Sequence, residues 1–294
     1  MSACDLLSSP QTVCGSGEAP LCGVAAFLLS PAGTRTRRGE LFTTMPATEP
    51  AENLPPTRLL LVRHGQAVVN VTHVMGGMKG DTGLTDFGRE QARRLRERFA
   101  NDVASGKLHA DVLVASTLPR ARETAEIIAP ALGLPIVFDD DLQEFRVGDD
   151  ADGLSRAEYI HRYGWVDIAA EPFTPSDPGG ESWARFMLRV AETLERIACE
   201  YAGKTVVVVC HGGIIDGSLV HFFGMNAHAV PPARLFTRNT SLTLWTHVHG
   251  DDKPRWRLDF YNDAHHLDGL VAEAVVEQPD DSEPTEPIVP TETE

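Results

Sequence analysis

Two histidines and two arginines stand close behind apolar runs of the sequence. Arg63 and His64 follow LLLV, Arg120 comes a few residues after VLVA, and His211 follows TVVVVC. A guanidinium group binds phosphate oxygens through paired hydrogen bonds. A neutral imidazole can attack phosphorus and carry the phosphoryl group, while a second imidazole helps to neutralise the charge of the transition state. These residue types therefore predict phosphoryl-transfer chemistry.

Phosphoryl transfer also needs an acid that gives a proton to the leaving oxygen. The candidate is Glu144, in the segment DDDLQEF. Burial would favour a protonated carboxyl near neutral pH, whereas neighbouring arginines would oppose it. Glu144 is therefore the predicted proton donor, and an ordinary acidic loop is the alternative reading of the same segment.

The apolar runs alternate with stretches of helical periodicity, which is the pattern of an α/β fold. Buried-strand runs and two β-rich segments are predicted at 58–62, 111–115, 135–138, 205–210, 241–248 and 255–261. Helices are predicted between them, including one directly after the Gly-Gly turn at 212–213. Because the strand runs are apolar on both faces, we expect a three-layer αβα sandwich with a mostly parallel central sheet. Ligands bind such sheets at the carboxyl ends of the strands, where the histidines and arginines stand.

Composition divides the chain into three parts. Residues 1–57 are rich in Ser, Gly, Pro and Thr and show no sustained periodicity, so we expect a flexible N-terminal extension. Residues 58–267 are the predicted catalytic domain. Residues 268–294 contain nine acidic residues and no Lys or Arg, which predicts a disordered acidic tail.

Charge and cysteine content narrow the class of partner. The chain has 42 acidic and 26 basic residues and a formal net charge of −16, which argues against a nucleic-acid or anionic-membrane partner. It has no apolar run of about 18 residues, so no membrane-spanning helix is predicted. Five cysteines without a CxxC pair do not indicate a disulfide framework, and a cytoplasmic location is expected.

Seven segments together resemble the histidine phosphatase superfamily, also called the phosphoglycerate mutase-like family. LLLVRHGQ resembles its signature strand and turn, and VVVVCHGGII resembles its second histidine turn. The other similar segments are GDTGLTDFGREQARRL, STLPRARETA, LQEF, GGESWARFMLRV and RNTSLT. They occur in the family's order over residues 58–262.

The resemblance implies a role for each matching residue. His64 would be the nucleophile and Glu144 the proton donor. The implied phosphate pocket comprises Arg63, Arg120 and His211, assisted by Asn70 and the backbone of Gly212. The family requires no metal or cofactor, and no histidine spacing typical of a metal site is present. The expected partner is a small phosphorylated substrate, and a homodimer is compatible with this interpretation.

Two features of the sequence bear on whether the protein is a phosphatase, a mutase or a binding protein without activity. The segment EFRVGDDADG after Glu144 has one residue more than the family pattern and lacks its Trp-Glu pair, so the pocket wall formed by residues 145–182 is not predicted. Glu144 and His211 are only 67 positions apart, which favours a phosphatase over a phosphoglycerate mutase. A mutase and a catalytically silent binding protein of the same fold remain the alternatives.

Overall fold

Six strands form one sheet, which places the ends of its parallel strands at a single edge. The computed structural model describes residues 54–231, 233, 235–248 and 255–271, without the side chains of residues 248 and 255. These residues belong to the second of the chain's two compact units, 50–294. The strands are β1 (Thr57–Arg63), β2 (Val112–Ser116), β3 (Ile136–Asp139), β4 (Thr205–Cys210), β5 (Leu242–Val248) and β6 (Arg255–Asp263).

The strand order is β3-β2-β4-β1-β5-β6. The first four strands in this order run parallel, and β5 and β6 complete the sheet as an antiparallel hairpin beside β1. Arg63 at the end of β1 lies opposite Cys210 at the end of β4. The residues that follow these two positions, His64 and His211, therefore begin neighbouring loops at the same edge.

Helices cover both faces of the sheet because the central strands are apolar on both sides. In β1, Leu59 and Leu61 face one core cluster, and Leu60 and Val62 face the other. The helices are α1 (Val68–Thr72), α2 (Asp86–Ala104), α3 (Pro119–Leu132), α4 (Arg156–Tyr163), α5 (Trp183–Glu200) and α6 (Gly212–Phe222). Helices α5 and α6 pack on the first face, whereas α2 and α3 pack on the second. This arrangement confirms the predicted three-layer α/β fold.

Local sequence signals determine where the principal helices begin and end. The Thr85 hydroxyl accepts a hydrogen bond from the Gly88 N–H and caps α2, and Ser182 caps α5 in the same way. Helix α3 begins with Pro119 at its first position and ends at Gly133, whose φ of 65° is in the left-handed region. Each signal was readable in the sequence.

The predicted strands agree with the structure within two residues, while two helices were not predicted. Helix α1 has only five residues and buries none of them. Helix α4 buries only Tyr159, so it lacks an apolar stripe. Most of the predicted N-terminal extension and acidic tail lies outside the described residues, and those two assignments remain predictions.

Candidate active site

Four segments of the chain meet at the carboxyl edge of the sheet. His64 follows β1, His211 follows β4, Arg120 lies in the first turn of α3 after β2, and Glu144 lies shortly after β3. The centroids of the two imidazole rings are 5.1 Å apart. Both histidines and Arg120 are buried. The structure thus brings together residues that are up to 147 positions apart in the sequence, from His64 to His211.

His64 has one ring nitrogen committed to the backbone and the other directed at an arginine. Its Nδ1 lies 2.7 Å from the carbonyl oxygen of Gly65, a contact that requires the proton to be on Nδ1. The lone pair is then on Nε2, which accepts a hydrogen bond of 3.2 Å from Nε of Arg120. Burial, Arg120 and Arg63 hold the pKa of His64 well below its usual range. A neutral imidazole with a free-base Nε2 has the form that a nucleophile requires.

The turn that carries His64 is fixed from behind by the loop before β5. The carbonyl oxygen of His64 accepts hydrogen bonds from Nδ2 of Asn239 at 3.1 Å and from the N–H of Thr240 at 3.2 Å. Thr240 has a φ of 55°, an uncommon conformation for a β-branched residue. At Gly65, a Cβ atom would lie 2.6 Å from the carbonyl oxygen of Gly88, so only glycine fits there. The imidazole therefore projects from a rigid backbone.

Arg120 is held by a buried carboxylate. Its Nη1 donates to Oδ2 of Asp81 at 2.8 Å and to the carbonyl of Gly76 at 2.9 Å. The backbone N–H of Arg120 donates to the same oxygen of Asp81 at 3.1 Å. Arg63, on the other side of the site, donates from Nη1 to the carbonyl oxygen of Thr237. Both guanidinium groups are thereby oriented by partners outside the space beside His64.

His211 is the second imidazole of the site. Its Nε2 lies 2.8 Å from the hydroxyl of Ser116, at the end of β2. Its Nδ1 is buried and has no hydrogen-bond partner among the described residues. Burial, followed by the charge of Arg120, keeps the pKa of His211 well below its usual range. An incoming phosphoryl oxygen, being an anion, would favour the charged form of this ring.

Glu144 contacts the beginning of α6. Its Oε2 accepts from the N–H of Gly213 at 3.0 Å, and its Oε1 accepts from the N–H of Phe145 at 3.0 Å. Arg189 of α5 holds this segment by donating to the carbonyls of Asp141, Gln143 and Glu144. Arg189 is itself paired with Glu181 at 2.7 Å. The position of Glu144 therefore depends on a largely buried ion pair between Arg189 and Glu181.

The two remaining predicted residues contribute through backbone geometry. Oδ1 of Asn70 accepts from the N–H of Ala67 at 2.9 Å, so Asn70 shapes the segment that follows the His64 turn. Gly212 is the first residue of α6, where helix N–H groups lack acceptors within the helix and favour an anion. A Cβ atom at Gly212 would lie 3.7 Å from Nε of Arg63. Gly212 is thus adjacent to the candidate phosphate pocket.

Residues 59–264 match the histidine phosphatase superfamily (branch 1). This chain belongs to that superfamily. It is 31% identical over 224 residues to phosphoglycerate mutase-like protein 4 of Arabidopsis thaliana, covering 74% of this chain and 90% of the relative. It is 32% identical over 217 residues to an uncharacterized phosphatase, PhoE, of Bacillus subtilis, covering 73% and 99%.

A solved member of this group has a similar structure. Mycobacterial glucosyl-3-phosphoglycerate phosphatase superimposes with a TM-score of 0.58 and 29% identity, covering 70% of this chain and 99% of that one. The described part of this histidine phosphatase superfamily chain has no group of three or more His, Cys, Asp or Glu side chains placed to hold a metal ion. Within the same residues, no helix is long and apolar enough to cross a membrane.

Several supporting residues of this histidine phosphatase superfamily site were not identified from the sequence. Asp81, Ser116, Glu181 and Asn239 all lie in segments that resemble the family, yet their partners depend on the fold. The motifs signalled where polar side chains gather, but no spacing rule connects Asp81 with Arg120 or Asn239 with the turn of His64.

Proposed function

We propose that this protein is a phosphomonoester hydrolase that acts on a small phosphorylated metabolite through a phosphohistidine intermediate. His64 attacks phosphorus, Glu144 protonates the leaving oxygen, and water then releases phosphate from His64. Arg63, Arg120 and His211 bind the phosphoryl oxygens, with Asn70 and the backbone of Gly212 in support. Similarity to proteins named as phosphatases supports the reaction class.

The observation that carries this proposal is the hydrogen-bonding state of His64. Its Nδ1 is committed to the carbonyl of Gly65, and its Nε2 lone pair points at the guanidinium of Arg120. The same guanidinium is held by Asp81 rather than by a flexible partner. A phosphoryl group that binds Arg120 would therefore be brought next to a neutral, correctly oriented nucleophile.

A phosphoglycerate mutase is the second candidate, because a relative at 31% identity carries that name. A mutase must shield the phosphorylated histidine from water while its substrate reorients. The short interval between Glu144 and His211 leaves little chain for such a cover, which supports hydrolysis instead. Release of inorganic phosphate is expected to exceed interconversion of 3- and 2-phosphoglycerate. The opposite ratio would establish the mutase.

The decisive experiment is to trap the intermediate. Brief reaction with a labelled phosphomonoester, in the presence of EDTA, should yield an acid-labile phosphoenzyme with the label on His64. His64→Ala should abolish both the label and turnover. His109→Ala is the matched control, because the side chain of His109 is 90% exposed and has no role in the proposed mechanism. It should label like the wild type.

Three outcomes would refute the mechanism. One is label on Ser, Asp or Cys, and another is normal turnover by His64→Ala. The third is loss of activity in EDTA that a divalent ion restores. Absence of both labelling and turnover across sugar phosphates, nucleotides, phosphoglycerates and phosphoproteins would support the catalytically silent binding protein.

A further inference from the structure

Ser116 carries a buried hydroxyl group that the proposed mechanism does not use. It is the last residue of β2, and its Oγ lies 2.8 Å from Nε2 of His211. On its other side, Oγ accepts a hydrogen bond of 3.3 Å from the N–H of Leu118. Among the residues that the structure describes, the hydroxyl has no further hydrogen-bond partner. Its own proton therefore has one acceptor there, which is Nε2 of His211.

The contact with Ser116 distinguishes between the two tautomers of His211. The ring is neutral and carries one proton, because burial, followed by the charge of Arg120, keeps its pKa well below the usual range. With the proton on Nδ1, Nε2 accepts from the Ser116 hydroxyl and both groups have a partner. With the proton on Nε2, the ring would donate to Oγ, and the hydroxyl proton of Ser116 would have no acceptor among the described residues.

The number of unpaired buried groups favours the proton on Nδ1. In that tautomer, only the Nδ1–H group lacks a partner in the described part of the chain. In the other tautomer, both the lone pair of Nδ1 and the hydroxyl proton of Ser116 would lack one. A buried polar group without a partner is costly, so the tautomer with one such group is the more stable.

The Nδ1–H group is available for a ligand at the site. Although His211 is the N-cap of α6, its side chain makes no hydrogen bond to the first turn of that helix. The centroid of its ring lies 5.1 Å from that of His64. A phosphoryl group at His64 would thus bring acceptor oxygens close to the ring of His211.

We propose that Ser116 is a positioning residue that fixes His211 with its proton on Nδ1, so that this N–H donates to an oxygen of the phosphoryl group at His64. Ser116 acts through His211 and not on the substrate. The donor exists in the neutral ring, so phosphate binding does not require the ring to gain a proton first. This inference rests on the proposed function for the identity of the acceptor.

The first test determines the tautomer in the wild-type protein. The chemical shifts of the two ring nitrogens distinguish the tautomers in nitrogen NMR spectra of protein labelled at its histidine rings. The signals of His211 are those that disappear in His211→Gln. Near neutral pH, Nδ1 of His211 should carry the proton and Nε2 the lone pair. A proton on Nε2 would overturn the proposal without any variant of Ser116.

The second test removes the hydroxyl group. Ser116→Ala should lower the population of the tautomer with the proton on Nδ1. It should also raise the Kd for inorganic phosphate about fivefold, as expected for one neutral hydrogen bond, in isothermal titration calorimetry. An unchanged tautomer and an unchanged Kd in Ser116→Ala would overturn the proposal.

Ser218→Ala is the matched control. Ser218 is also buried, and its hydroxyl donates to the carbonyl of Ile215 and accepts from Nε1 of Trp245. Its loss removes a buried hydroxyl group of the same kind without touching His211, so the tautomer and the Kd for phosphate should stay as in the wild type. Equal increases of the Kd in Ser116→Ala and Ser218→Ala would show a general structural effect and overturn the proposal.

The tautomer and the phosphate affinity are measured without turnover, so this inference and the proposed function can fail separately. A protonated Nδ1 of His211 without a phosphoenzyme on His64 would reject the proposed mechanism and retain the role of Ser116. A phosphoenzyme on His64 together with a proton on Nε2 of His211 would reject only the role of Ser116.

Discussion

At the scale of single residues, the site depends on partners that hold the phosphate-binding groups in place. Asp81 is the clearest case, because its side chain is fully buried and accepts both from the guanidinium and from the backbone N–H of Arg120. Asp81→Asn should lower kcat/KM at least about tenfold and reduce thermal stability, since it leaves a buried arginine without its counter-charge. Steady-state kinetics and thermal unfolding measure the two effects.

The control for Asp81 is Asp86→Asn. Asp86 also pairs with an arginine, at 2.8 Å, but its side chain is completely exposed. Exposed ion pairs contribute little to stability, so this variant should behave like the wild type. Equal effects of the two substitutions would show that burial of the Asp81–Arg120 pair is irrelevant to the site.

At the scale of elements, the junction between β4 and α6 requires glycine for two different reasons. A Cβ atom at position 213 would lie 2.2 Å from Glu144 and 2.8 Å from the ring of Phe186, whereas one at position 212 would make only ordinary contact with Arg63. Gly213→Ala should therefore displace Glu144 and reduce kcat for an alkyl phosphate at least about tenfold more than Gly212→Ala does. Kinetics with alkyl and aryl esters measure the difference. Similar losses for both variants would contradict this account of the junction.

At the scale of the whole molecule, buried histidines couple folding to pH. Burial keeps the pKa values of His64 and His211 well below the usual range and lowers the pKa of His266 to about 3. Below about pH 6.5 these histidines take up protons in the unfolded chain but not in the native protein. Their contribution to the free energy of unfolding is therefore fully present above that pH and is lost as the pH falls. Asp216 has the opposite sign, because its raised pKa makes the native state the better proton acceptor between about pH 4 and 7.

The free energy of unfolding should consequently fall by about 3 kcal/mol per pH unit between pH 6 and 5, from a net of about two protons. Chemical denaturation at several pH values measures this slope. His266→Gln should reduce this slope by about 1 kcal/mol per pH unit, whatever its effect on stability at pH 7. His109→Gln should not change it, because that side chain is exposed in the native state. A slope that is the same in all three proteins would refute the contribution of His266.

The sequence by itself determined the fold class and the candidate residues that follow strands. Apolar runs on both faces of β1 and β4 require cover from two helical layers, and parallel strands end at one edge. Those two rules place Arg63, His64 and His211 together before any coordinate is known. The same rules indicate Arg120, which follows β2, and the need for a proton donor indicates Glu144; the structure brings both to this edge.

Only the tertiary structure decided what orients these residues. Asp81 meets Arg120 across 39 positions, Arg189 reaches the Glu144 segment across 45, and Asn239 reaches His64 across 175. Such contacts arise when separate elements pack, and no local periodicity encodes them. Gly213 shows the reason most clearly: in the sequence it is one glycine of a turn, whereas in the fold the Glu144 carboxyl occupies the place of its missing side chain.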